Sequence, residues 1–189
     1  MQPLMAAALE LQEFLSQQGW EFCFIGGIAL QRWGHPRVTV DADVTLLTEL
    51  GQEDLHIEPL MQRFTPRRPD AREFALQARV LLLQSSEGIS LDVALAAFPF
   101  ERRIVARASD QVFDSRTILR VCSAEDLVVL KAFADRPRDW GDIEGVLIRQ
   151  GPDLDRNYIV ENLSPLCELK EAPEIVAKLR AMFDQIPPS

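Results

Sequence analysis

FIGGIALQRWGHPRVTVDADVTLL, residues Phe24–Leu47, decides how this chain is read. An apolar, strand-like run enters Gly26-Gly27. A short helical stretch follows to Gly34, and fourteen residues after Gly27 comes Asp41-Ala42-Asp43, inside a run that again looks like buried strand. In a strand, residues i and i+2 share a face about 6.5–7 Å apart, so Asp41 and Asp43 are expected to project together at the edge or mouth of a sheet. Two carboxylates held side by side repel each other, and a divalent cation removes that cost. Mg²⁺ takes one or two carboxylates plus water and phosphate oxygens. Two such ions about 3.5–4 Å apart clamp the attacking and leaving oxygens of a phosphoryl-type transfer. Taken alone, Asp-x-Asp is also a common loop pattern in which both side chains are solvated or cap turns.

A third carboxylate stands in GISLDVALA, where Asp92 sits alone in an apolar run that reads as buried strand. A lone buried Asp needs a partner. A strand lying beside Asp41–Asp43, about 4.8 Å away, would let Asp92 complete a triad; a salt-bridge partner is the other reading. Gly26-Gly27 follows a strand and opens a helix, where bare backbone N–H groups bind phosphate. A tight strand-to-helix turn needs small residues too, and that reading stays open. Neither G-x-G-x-x-G nor G-x-x-x-x-G-K-[ST] occurs, so dinucleotide and P-loop readings lack support.

The chain has 189 residues, 47% hydrophobic and 26% charged, enough for one good-sized domain or a domain with a helical appendix. Its net charge of −9 argues against a broad basic surface for nucleic acid. The one basic cluster is RFTPRRPDAR, with Arg63, Arg67, Arg68 and Arg72, read as an acceptor-facing patch or a mobile surface loop. Cys23, Cys122 and Cys167 lack metal-ligand spacing and suit reduced, buried thiols. The N-terminal stretch has no positive region and no apolar run approaches the roughly 20 residues of a bilayer span, so a soluble cytoplasmic protein, with no membrane partner, is expected.

Helical spacing of Leu4, Ala8, Leu11 and Leu15 predicts a first helix ended by Gly19. WEFCFI and DADVTLLT read as strands. GQEDLHIEPLMQRF reads as a helix in which Pro59 argues for a break or a first-turn position. FALQARVLLLQS and GISLDVALA read as apolar runs joined by a hairpin-like Ser-Ser-Glu-Gly, FERRIVARA as a short helix, and VFDSRTILRVCS as one or two strands. From Ser123 the pattern turns helical, beginning with a near capping box in which Asp126 replaces Glu. The expected architecture is α+β: a catalytic mixed-sheet domain over residues 1–122, and a helical region over 123–189 packed on it.

The order strand, Gly-Gly, helix, Arg-x-Thr-x-Asp-x-Asp, then a lone Asp on a later strand, resembles the nucleotidyltransferase (polymerase β-like) superfamily. Gly26, Gly27, Arg37, Thr39, Asp41, Asp43 and Asp92 carry the match. SAEDLVVLKAFADRPRDWGDIEGVL resembles the helical element of small bacterial nucleotidyltransferases related to abortive-infection toxins, through Asp126, Lys131, Arg136, Arg138, Asp139 and Asp142. Asp-Ala-Asp-Val stands where Asp-Ile-Asp-Leu is more usual, which leaves the metal chemistry intact.

The resemblance implies that Asp41, Asp43 and Asp92 are catalytic and hold two Mg²⁺ ions. It implies that Gly26, Gly27, Arg37, Thr39 and Lys131 bind an NTP, ATP among the candidates. An NMP would then pass to a hydroxyl acceptor on tRNA, a protein or a small molecule, in an enzyme of toxin type with an antitoxin protein as a candidate partner. Arg138, Asp139 and Asp142 are accessory candidates. Each also has a plainer reading: Lys131 as a solvated helix lysine, Arg37 as a loop cap, Arg138–Asp139 as an ion pair between helices, Asp142 as architecture. Trp33, Trp140 and Phe133 read as core, and His35 and His56 receive no chemistry. The rival hypotheses are a non-catalytic binding or regulatory module with this fold, and a metal-dependent phosphohydrolase.

Overall fold

The structure is a computed structural model that describes residues 2–187. The chain divides into two compact units. The first takes the chain as far as Ile28 together with Val38–Cys122, and the second Ala29–Arg37 together with the chain from Ser123 onward.

In the first unit, α1 (Pro3–Gln17) is followed by β1 (Phe22–Phe24) and by α2 (Gly26–Trp33), within which the division between the units falls. Then come β2 (Asp41–Leu47), α3 (Asp54–Arg63), β3 (Thr65–Pro66), α4 (Ala71–Ala78) and β4 (Val80–Gln84). β5 (Ser90–Ala96), α5 (Pro99–Arg107), β6 (Ser109–Asp114) and β7 (Thr117–Val121) complete it. Among the described residues the strands form one seven-stranded sheet in the order β3-β4-β5-β2-β1-β7-β6. β2 runs parallel to β5, and β1 parallel to β7, while the other pairs are antiparallel. The fold is α+β, a mixed sheet with flanking helices.

The period-2 pattern of the central strands sets their two faces. Ala42, Val44 and Leu46 of β2, with Leu91, Val93 and Leu95 of β5, are buried, and Asp41, Asp43, Ser90 and Asp92 alternate with them on the opposite, half-buried face. α1 and α5 pack on β1, β2 and β7, and Leu11 and Leu15 of α1 are fully buried. β2 is interior to the sheet, so the aspartates stand at a strand mouth and not at an edge.

Two sequence readings need correction. FALQARVLLLQS is not one extended run: its first residues finish α4, whose Ala71 and Ala75 are buried one turn apart. Arg79 leaves that helix in the left-handed region at φ 54°, its guanidinium donates to Glu53 at 2.7 Å, and β4 then begins. Pro59 neither breaks nor opens α3 but lies inside it. The carbonyl it cannot serve belongs to Leu55, an exposed residue.

The second unit contains α6 (Ala124–Ala134), α7 (Pro137–Gln150), α8 (Arg156–Leu169) and α9 (Glu174–Gln185). α6 packs against α7, α8 and α9 through buried Leu127, Val128, Ile143, Leu147, Ile159, Leu163 and Leu179. Ser123 caps α6 by accepting from the Asp126 N–H at 3.1 Å, and Asp155 caps α8 by accepting from the Tyr158 N–H at 2.9 Å. Arg149 ties Gly34 to this unit by donating to its carbonyl at 2.7 Å. Cys23, Cys122 and Cys167 are buried thiols. Among the described residues no helix is long and apolar enough to cross a membrane.

Candidate active site

Asp41 opens β2, and the parallel register sets Asp41 opposite Ser90 and Asp43 opposite Asp92. Partners across a ladder point to one side, so Asp41, Asp43 and Asp92 share one sheet face at the start of two adjacent parallel strands. Thr39 orients the first of them: its hydroxyl donates to Asp41 Oδ1 at 2.8 Å.

Gly26 and Gly27 have a steric reason that their place in the sequence does not reveal. A Cβ on Gly26 would lie 2.1 Å from Asp43 Oδ2, and Gly26 also has φ +57°. A Cβ on Gly27 would lie 2.3 Å from Thr39 Oγ1. The Ile25 N–H donates to the Asp43 carbonyl at 3.0 Å, which closes the approach. The Gly-Gly turn is therefore pressed directly onto Asp43 and onto the threonine that holds Asp41.

Asp92 meets a cation. The Arg67 guanidinium donates to Asp92 Oδ1, and also to Ser90 Oγ at 3.2 Å. Burial pushes the Asp92 carboxyl above the usual carboxylate range, Arg67 opposes that rise, and the charge of Asp41 adds to it.

The placement of the three carboxylates fits a divalent cation, since all three project from one face and two of them already repel. Among the described residues no group of three His, Cys, Asp or Glu side chains stands close enough together to hold an ion as it is. An ion held by all three would need these side chains to turn toward one another.

The accessory candidates form a separate cluster within the second unit. Lys131 is buried, which overturns the solvated-lysine reading: its Nζ donates to Asp139 Oδ1 at 3.1 Å and Asp142 Oδ2 at 2.6 Å. Arg37 donates from Nε to Asp142 Oδ1 at 3.1 Å and from a terminal nitrogen to Oδ2 at 3.2 Å, a fork on one carboxylate. Arg136 Nε donates to Asp139 Oδ2 at 2.5 Å. Burial works against the Asp139 charge, but the hydrogen bonds from Arg136 and Lys131 outweigh it and hold the carboxyl below its usual range. Arg138 is exposed, and among the described residues no ion pair joins it to Asp139, because neighbours in a helix diverge and Arg136 and Lys131 take that carboxylate instead. Asp126 accepts from the Ser123 and Tyr158 hydroxyls at 2.9 and 2.7 Å, as suits a helix-start residue.

The basic cluster is neither a free patch nor a loop throughout. It contains the end of α3, all of β3 and the start of α4. Each of its arginines has an acid: Arg63 with Glu10, Arg67 with Asp92, Arg68 with Asp70, Arg72 with Asp54. Of these only Arg67 reaches the aspartate site, a role that local spacing does not signal because it depends on strand register.

Residues 11–185 match the family described as nucleotidyl transferase AbiEii toxin, type IV TA system. The chain belongs to this family. Both the sheet carrying Asp41, Asp43 and Asp92 and the helical cluster around Lys131 fall inside the matched AbiEii region. A comparison with curated proteins gives no match.

Among solved structures, this AbiEii-family chain is similar to an antigenic nucleotidyltransferase-like protein from Paracoccidioides brasiliensis. The two share 15% identity and a TM-score of 0.52, over 98% of this chain and 94% of the other. That similarity shows a nucleotidyltransferase-like fold. The antibiotic-resistance factor ANT(2'')-Ia shares 16% identity and a TM-score of 0.46, over 96% of this chain and 91% of the other. The lincosamide antibiotic adenylyltransferase LnuA shares 12% identity and a TM-score of 0.48, over 75% and 94%.

Proposed function

We propose that the protein transfers a nucleoside monophosphate from an NTP to a hydroxyl acceptor at Asp41, Asp43 and Asp92. The observation that carries this reading is the register: Asp43 lies directly opposite Asp92, with Asp41 on the same face and the Gly26-Gly27 turn against Asp43. Membership of a nucleotidyl transferase family supports it.

In this reading the three carboxylates hold Mg²⁺, as two ions. Bound Mg²⁺ supplies charge neutralisation on the phosphates and acidifies the acceptor hydroxyl. The backbone N–H groups at the start of α2 receive the triphosphate. Thr39 keeps Asp41 Oδ1 oriented. Asp92 helps to take up the acceptor proton. The acceptor oxygen bonds to the α-phosphorus as the α–β bridging bond breaks, and pyrophosphate leaves with the electron pair.

Lys131, buried between Asp139 and Asp142, acts by positioning that carboxylate pair. The proposal extends to ATP as donor, to an acceptor that is tRNA, a protein or a small hydroxylated molecule, and to a toxin role opposed by an antitoxin protein, following the family description.

The test is incubation with each α-³²P-labelled NTP, with and without Mg²⁺, against total RNA, cell protein and small-molecule extract. Label that moves into one fraction, needs Mg²⁺ and is lost in Asp41→Asn/Asp43→Asn supports the reading. Transfer retained in that variant would sink it.

A further inference from the structure

Arg67 does not reach Asp92 by accident of a loose loop. Its own N–H donates to the Leu82 carbonyl at 3.0 Å, and Leu82 lies directly opposite Asp92 in the β4–β5 ladder. The two residues before it, Thr65 and Pro66, form β3 on the far side of β4, with Pro66 opposite Leu83. The backbone is thus pinned one strand away from Asp92, and the side chain spans β4 to reach β5. Ser90 Oγ fixes a second nitrogen of the same guanidinium at 3.2 Å. The pair is only part-exposed, at 29% for Arg67 and 31% for Asp92. Arg68, the next residue, faces elsewhere and forks onto Asp70 at 2.9 and 2.8 Å.

We propose that Arg67 is a positioning residue that stands in for the metal at Asp92: its guanidinium holds the third carboxylate in place in the metal-free protein and competes with a divalent cation for it. This inference rests on the assignment of Asp41, Asp43 and Asp92 to a metal site. Arg67 holds Asp92 Oδ1, and an ion that takes this same oxygen displaces the guanidinium from it. The displaced guanidinium stays tethered to β4 by its backbone and remains beside the site as a donor for an anion.

The test is Mn²⁺ binding to the full chain without nucleotide, read from the electron paramagnetic resonance signal of free Mn²⁺. Arg67→Ala is expected to tighten binding roughly two- to fivefold, the range for loss of a part-exposed competing ion pair. Arg68→Ala removes the same charge one residue away and is expected to leave affinity unchanged. In an Asp92→Asn background, Arg67→Ala is expected to give no further gain, because the competition has lost its object. Unfolding curves for each variant confirm the fold.

Binding that is lost in Asp41→Asn/Asp43→Asn but unchanged or weakened by Arg67→Ala overturns this inference alone. An Arg68→Ala gain equal to that of Arg67→Ala overturns it as well, since general charge then explains both. Mn²⁺ binding that survives Asp41→Asn/Asp43→Asn overturns the metal assignment and this inference with it.

Discussion

The sheet face with Asp41, Asp43 and Asp92 and the helical cluster with Asp139 and Asp142 bring carboxylates together in opposite electrostatic senses. Burial pushes Asp92 up in pKa, with Arg67 opposing the rise and Asp41 adding to it, whereas Asp139 is held down by Arg136 and Lys131 in spite of complete burial. In the helical cluster each carboxylate receives two cations, a closed arrangement whose work is already done inside the protein. On the sheet, Asp43 lies opposite Asp92 across the register, and Asp92 is paired with the Arg67 guanidinium alone among the cations named here. We take the sheet carboxylates, whose charge is less fully compensated, for the site and the doubly paired ones for architecture.

The contrast breaks most severely at Asp43. Asp43→Asn is expected to lower nucleotide transfer on the order of a thousandfold in a chain that still folds; a label-transfer rate alongside a melting curve reads both. Asp139→Ala is the mirror experiment. It leaves the buried Lys131 with one carboxylate in place of two, and is expected to cost about 3 kcal/mol or more in urea unfolding. If Asp139→Ala were as stable as the parent, the cluster would not be architecture.

Gly26→Ala comes next, because its Cβ would strike Asp43 and its φ is left-handed. About 1–3 kcal/mol of stability is expected to go, together with transfer activity. Gly141→Ala in α7, where a Cβ meets nothing within 4 Å, is expected to stabilise by about 0.5–1 kcal/mol in the same assay.

The smallest effect is in pH, and it has opposite signs in the two regions. Asp139 has a lowered folded pKa, so its contribution is present above the ordinary carboxylate range near pH 4 and is lost as pH falls through the folded value. Asp92 has a raised folded pKa, so its ionisation costs stability progressively as pH rises from the ordinary carboxylate value to the folded one. Urea midpoints between pH 3.5 and 7, roughly spanning carboxylate titration, are expected to show the Asp139→Asn deficit growing with pH. The Asp92→Asn variant is expected to gain on the parent over the same rise.

Much of this contrast is legible in the amino-acid sequence, and what is not has a physical cause. Asp41-x-Asp43 shows through strand period, and Asp92 through its isolation in an apolar run, because burial rules act locally. The α+β class follows from the shift of pattern at Ser123. The pairing of Asp43 with Asp92 is a condition there and not a deduction, since register is not written in either strand alone. Arg67 is hidden for the same reason, reading as one of several arginines in a polar stretch. Lys131 reads as exposed because a lone lysine on a helix gives no sign of acids eight and eleven residues later folding back on it. The helix in FALQA is masked by the apolar strand that follows it directly.

The most direct test of the central claim, that the repelling sheet carboxylates are the nucleotide–metal site, is thermal unfolding with ATP, GTP, CTP and UTP, with and without Mg²⁺. Ligand at 100 times its dissociation constant stabilises by about 2.7 kcal/mol, and at about 2–4 °C per kcal/mol for a chain of this size the melting point is expected to rise by roughly 5–10 °C. That rise is expected for at least one nucleotide, only with Mg²⁺, and is expected to be lost in Asp41→Asn/Asp43→Asn. A rise of equal size in that variant, or no rise with any nucleotide, would contradict it.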